Sequence, residues 1–123
     1  NKFVANFIGD ANVVKAEIIN KQSNTYELKL AEMNIKIESD EDLKNSVSVA
    51  LRPEKIKIET NNNNNCIHAS INNASFVGSS YQYILNSTIG KLYVISGDTN
   101  NPFKVGEEVF LSLDEKDVKV LND

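Results

Sequence analysis

The chain has 123 residues, 41% of them apolar and 24% charged, with a formal net charge of −4 at pH 7 and one cysteine. That length supports one compact core, or two very small barrels sharing one. It holds no second cysteine for an internal disulfide and no run of about 18 apolar residues that could cross a bilayer as a helix. Neither residues 1–60 (9 basic, 10 acidic) nor residues 61–123 (4 basic, 7 acidic) carry the basic stripe a phosphate backbone needs, so no nucleic-acid partner is expected.

In chain order, Phe3, Val4, Phe7 and Ile8 fall at i, i+1, i+4 and i+5 and share one face of a helix. Gly9 stands where a left-handed C-terminal cap would sit, so residues 1–9 read as the end of a helix. The start at Asn1 and the single methionine, Met33, mark the chain as part of a longer protein. Beyond it, YELKL (26–30) and NIKIE (34–38) alternate apolar with polar residues and predict strands. SDEDLKN (39–45), with Ser39 or Asp40 as cap and acids behind it, predicts a short helix. SVSVALR (46–52) and KIKIE (55–59) return to period two.

The run NNNNN (61–65) belongs to a chain with 18 asparagines and twelve lysines to one arginine. An AT-rich genome produces this bias without a functional cause, and the run reads as a loosely ordered surface loop. Strands follow at YQYIL (81–85), KLYVI (91–95) and EVFLSL (108–113), separated by turn-rich SGDTNNP (96–102) and KVGEE (104–108). Connections this short exclude helical crossovers and leave an antiparallel sheet. VSVALRPEKIKI (47–58) overlies VFLSLDEKDVKV (109–120) without a gap, 62 positions apart. Each copy is a strand, a tight polar turn and a second strand. The expected fold is therefore all-β: two related small antiparallel barrels of the OB type, exchanging strands, with a first segment at 10–60 and a second at 61–123 packed as one domain. FIG (7–9) and FVG (76–78) offer a second matching point, offset by 69.

The chemistry-bearing residues are few. No G-x-x-x-x-G-K-[S/T] loop exists: Gly90-Lys91 is followed by Leu92, and Leu85 stands where the first glycine belongs, so the chain has no ATP cradle and no cofactor of its own. Cys66 and His68 are the only cysteine and histidine, too few for a zinc site, and alternate strand residues align poorly for proton transfer. Asp40, Glu41 and Asp42 could attract a polyamine but read as a solvated face. Gly78, Ser79 and Ser80 could present hydroxyls and amides to an oxyanion. Arg52 is the lone arginine, and Pro53 holds it extended at the turn beside Glu54. Its planar fork serves either to staple the turn, the preferred reading, or to meet another domain or subunit.

NKFVANFIGDAN (1–12), VALRPEKIKIE (49–59), FVGSSYQYIL (76–85) and GEEVFLSLDEKDVKVL (106–121) together resemble, in order and spacing, the C-terminal TOBE (transport-associated OB) domain of ATP-binding subunits of ABC importers. FIGDAN, RPEKIKIE and the long second module look most like those of spermidine/putrescine importers; sugar and ferric-iron importers share the skeleton. The resemblance implies a regulatory and dimerising role. Its partners would be a preceding ATPase domain that holds ATP and Mg, a second copy of the subunit and membrane permeases, at the cytoplasmic face of the inner membrane. It marks Gly9, Asn12, Arg52, Pro53, Glu54, Gly78 and Ser79 as motif or interface residues. A free-standing cytoplasmic small-ligand module is the alternative.

Overall fold

The computed structural model describes residues 6–8 and 11–121. Among the described residues eleven antiparallel strands form two sheets. Strands β1 (Asn6–Ile8), β2 (Ala11–Gln22), β3 (Thr25–Leu30), β4 (Met33–Glu38) and β5 (Ser46–Leu51) lie in the first, which runs β11-β5-β2-β3-β4 with β1 also on β2. A 3-10 turn, η1 (Pro53–Lys55), leads to β6 (Lys57–Glu59). Then come β7 (Ile67–Val77), β8 (Ser80–Ser87), β9 (Gly90–Ser96), β10 (Glu108–Ser112), a second 3-10 turn η2 (Glu115–Asp117) and β11 (Val118–Leu121). The second sheet runs β6-β10-β7-β8-β9.

The last strand of each half has crossed to the other sheet. β6, from the first half, pairs with β10, and β11, from the second, pairs with β5. The exchange is reciprocal to the residue. Leu111 faces Ile58, and Val49 faces Val120, which are the same pair in the two copies of the repeat. The expected all-β, strand-exchanging architecture is what the chain adopts. Alternation decides which side chains fill it: Val47, Val49 and Leu51 of β5, and Val109 and Leu111 of β10, point inward with Leu28, Leu30, Leu85 and Val94 into one continuous core.

Several expectations need correction. Residues 6–8 form a strand on β2, with Ile8 opposite Ala11, instead of the end of a helix; Phe3, Val4 and Gly9 lie outside the described residues. A segment this short is a marginal helix on its own, and pairing with β2 satisfies its backbone instead. Residues 39–45 form an irregular segment with bends at 40, 41 and 45. The buried Tyr26 hydroxyl accepts from the Leu43 N–H (3.1 Å) and donates to the Glu41 carbonyl (2.7 Å), groups a helical turn would use itself. FIG and FVG are not equivalent points, since Phe7 and Ile8 precede the long strand β2 while Phe76 and Val77 end the long strand β7.

Candidate functional site

The residue-level repeat extends well beyond β5 and β10. NVVKAEI (12–18) and NCIHASI (65–71), 53 positions apart, open the two long strands. Each long strand breaks register at one residue, between Ile18 and Asn20 in β2 and between Ile71 and Asn73 in β7, where a bulge bends it around its lobe. At the bulge the Ile18 N–H reaches the Asn45 carbonyl at 2.8 Å and the Ile71 N–H reaches the Glu107 carbonyl at 3.0 Å.

The two asparagines that open these motifs lock the sheets together. Asn12 is 2% exposed, at the end of the inward row of Val14 and Ala16. Its carboxamide oxygen accepts from the Tyr93 N–H at 2.8 Å. Its Nδ2 donates to the Tyr93 carbonyl at 2.9 Å and to the Leu51 carbonyl at 3.1 Å. A side-chain amide thus acts as one rung of a ladder along β9, the edge strand of the other sheet, and at the same time ties down the end of β5. Asn65 repeats the arrangement on β4, the edge strand of the first sheet: its Oδ1 accepts from the Asn34 N–H at 2.6 Å and its Nδ2 donates to the Asn34 carbonyl at 2.8 Å. The Glu115 carboxylate of η2 then takes the next outward amide, Lys36 N–H, at 2.9 Å. Both edges are blunted against pairing with other chains. The asparagine run is therefore a structural connector, not a loose loop. Asn64 and Asn65 hold φ of +58° and +52°, which asparagine tolerates best among residues with a side chain, and the Asn63 amide bonds the Glu59 carboxylate.

A pair of tyrosines 57 positions apart, Tyr26 and Tyr83, each 1% exposed, pin the long loops. Tyr26 holds 41–43 as described above, and the Tyr83 hydroxyl accepts from the Phe103 N–H at 3.0 Å. Burial pushes the Tyr83 phenol above its usual value, against a smaller opposing effect of the Phe103 hydrogen bond. Tyr83 also stacks on Tyr81, ring centroids 5.8 Å apart, and Tyr81 meets Phe76 at 5.2 Å.

Of the residues marked from the sequence, the structure brings Asn12 together with the β5–η1 junction. Pro53 is buried and η1 lies against β9; Arg52 is exposed in extended geometry (φ −75°, ψ 135°). Its guanidinium makes no hydrogen bond or ion pair among the described residues, and only its carbonyl is engaged, by the Lys55 N–H at 3.0 Å. Among the described residues the tie at this junction is made by Asn12, whose Nδ2 reaches the Leu51 carbonyl. Glu54 is likewise exposed. Gly78 and Ser79 stand apart, at the exposed tip of the β7–β8 hairpin where Val77 faces Ser80; the φ of +68° at Gly78 is what the first central residue of a type II′ turn requires. Among the described residues no group of three or more His, Cys, Asp or Glu side chains is placed to hold a metal, and no helix is long and apolar enough to cross a membrane.

The model of the TOBE domain family matches residues 49–121, from β5 through the second lobe to the exchanged strand. The chain belongs to the TOBE domain family. Among curated relatives, an Fe(3+) ions import ATP-binding protein, FbpC, of Fusobacterium nucleatum is 30% identical over 128 residues, taking in 100% of this chain and 33% of that protein. FbpC of Agrobacterium fabrum is 20% identical over 122 residues, with 99% and 34% covered. This TOBE domain spans about a third of the length of the curated relatives it matches. In fold it is similar to ModG, a cytoplasmic molybdate-binding protein solved with molybdate bound: TM-score 0.72, 10% identity, 92% of this chain and 96% of that one.

Proposed function

We propose that this TOBE domain is the non-catalytic regulatory part of the ATP-binding subunit of an ABC importer, and that the transported solute is ferric ion. The observation that carries the reading is the likeness to FbpC along the whole chain, in proteins about three times as long. The spermidine/putrescine reading finds no such support, because the relatives reported above are named for iron. The remaining two thirds of such a subunit would hold ATP and Mg and face the permease, with the subunit on the cytoplasmic side of the inner membrane. The oxyanion reading rests on Gly78, Ser79 and Ser80, of which the first two stand exposed on a hairpin tip and Ser80 is half-buried at the start of β8, with no enclosed space among them.

Within this role Arg52 is the contact residue. A rigid, always-charged donor fork held by Pro53 at the lobe junction, exposed and without an ion pair among the described residues, is suited to a carboxylate or a set of carbonyls on the ATPase domain or the second subunit. The test is Arg52→Ala in the complete transporter, following ATP hydrolysis and iron uptake together. Loss of uptake with hydrolysis retained supports the reading; unchanged coupling refutes it.

A further inference from the structure

Past its bulge, each long strand has a neighbour on one side only. β5 accompanies β2 from Asn12 to Glu17, and β10 accompanies β7 from Ile67 to Ser70, after which the loop before β10 holds the N–H and the carbonyl of Ile71. Farther out, β2 pairs only with β3 and β7 only with β8. Two-residue turns close both hairpins, on Gln22 with Thr25 and on Val77 with Ser80, and such a closing pair is hydrogen-bonded. Bonded and non-bonded pairs alternate along an antiparallel ladder, so Lys21 of β2, and Ala74 and Phe76 of β7, turn their N–H and C=O groups to the open side. The two open edges are finished differently. In β2 the Lys21 N–H is taken by the Asn20 side-chain oxygen at 2.8 Å and the Lys21 ammonium pairs with Asp42 at 3.3 Å, so a charged side chain guards the strand. β7 has neither device. Among the described residues nothing outside the β7–β8 ladder bonds the Ala74 or Phe76 backbone, and residues 60–90 contain no Asp, Glu, Lys or Arg. Phe76 is 58% exposed and Val77 50%, at the outer end of the aromatic row that runs in through Tyr81 to Tyr83.

We propose that the outer edge of β7, residues 73–77, takes up an extended, uncharged segment of a partner protein as an added strand. The backbone selects an extended occupant, because a strand is what offers N–H and C=O groups at the spacing of Ala74 and Phe76. The charge-free stretch selects its composition. A Lys or Glu on the incoming strand would lose water beside Phe76 and Val77 without meeting an opposite charge, whereas an aromatic or β-branched residue opposite Phe76 packs on its ring. A lipid surface would satisfy the two exposed side chains but leave the open backbone groups without partners. The edge is five residues long, the length of an ordinary strand, so the segment is held by a few backbone bonds and one aromatic contact. The inference is independent of the transported solute and of the Arg52 contact, which stand or fall on transporter coupling.

Titration of the chain with two capped peptides of about six residues, one alternating threonine with valine and one threonine with tyrosine, tests it by amide resonances and hydrogen exchange. At least one peptide is expected to bind at millimolar concentration or below and to protect the Ala74 and Phe76 amides about ten-fold or more. N-methylation of the peptide amides, glutamate in place of the threonines, and Phe76→Ser in the chain should each weaken binding about ten-fold or more. Ala74→Pro removes an outward donor that the β7–β8 ladder does not use, where an edge strand tolerates proline, and should act alike. Should that variant fail to fold, the N-methylated peptide on the unaltered chain decides the backbone part. No binding by either peptide up to millimolar concentration, protection that falls elsewhere, or binding indifferent to Phe76→Ser and to N-methylation would overturn the proposal. Protection of Ala74 and Phe76 that rises with the concentration of the chain alone would assign the edge to a second copy and overturn it too, as would protection by zwitterionic lipid vesicles in place of the peptides.

Discussion

Asn12 and Asn65 make the same two bonds to an edge strand, yet their surroundings differ, and so should the cost of losing them. Asn12→Ala removes three hydrogen bonds made by a side chain that is 2% exposed, which costs about 2–3 kcal/mol, or a Tm lower by about 10 °C for a domain this size. Asn65 is exposed, so water replaces part of what Asn65→Ala removes, and about 1 kcal/mol is expected. Asp in place of Asn separates the two further. At position 12 a carboxylate oxygen would face the carbonyls of Tyr93 and Leu51, so Asn12→Asp should destabilise at least as much as Ala, while Asn65→Asp stays mild; thermal melts of the four variants check the order. Arg52→Lys, by contrast, should change the stability of this chain by less than about 0.5 kcal/mol, as for other substitutions at exposed positions. The arginine drew notice because it is alone among lysines, a compositional signal. Asn12 drew it only as part of FIGDAN, and Asn65 was hidden inside a run of five, where composition offered a sufficient explanation. What could have exposed them is the repeated N-x-x-x-A-x-I at 12–18 and 65–71, faint because three identities in seven say little until a structure shows both segments in equivalent places.

At the scale of elements, the shorter half-buried strands were legible from alternation and the longest were not. β3, β5, β8 and β10 each present one face to the core without interruption. β2 and β7 run on past a bulge that shifts the phase of the pattern midway, and their outer ends project into solvent, so neither period two nor hydrophobicity marks their full length. The repeat was hidden by drift in spacing: 53 at the asparagines, 57 at the tyrosines and 62 at β5 and β10, because the β7–β8 hairpin and the loop before β10 are both longer in the second half. Tyrosine chemistry supplies a pH prediction here. Tyr83 has its folded pKa raised, so its neutral form is favoured in the fold and its contribution is fully present below the unfolded value of 10.0. That contribution is lost as pH climbs from there through the raised folded pKa. Relative to Tyr83→Phe, the unaltered chain should lose stability above about pH 10, with the loop at 97–107 loosening first; melting both proteins across alkaline pH measures the difference.

For the molecule as a whole, exchange of β6 and β11 makes each lobe depend on residues from the other half, and the asparagine locks add bonds in both directions. Unfolding should therefore be one cooperative transition, with calorimetric and van't Hoff enthalpies equal. The fragment 1–60, deprived of β11 and Asn65, should stay unfolded, which the absence of dispersed amide resonances would establish. Removing residues 114–123 should strip amide-exchange protection from β5 before β10, although β10 is nearer in sequence, because β5 loses its hydrogen-bonded neighbour. The same crossing sets an order of assembly during synthesis. β6 leaves the ribosome ahead of β10, so the second lobe finds its borrowed strand already waiting. β5 emerges about 70 residues before the strand that completes it, and through that interval the nascent first lobe carries a naked hydrogen-bonding edge open to pairing with other chains.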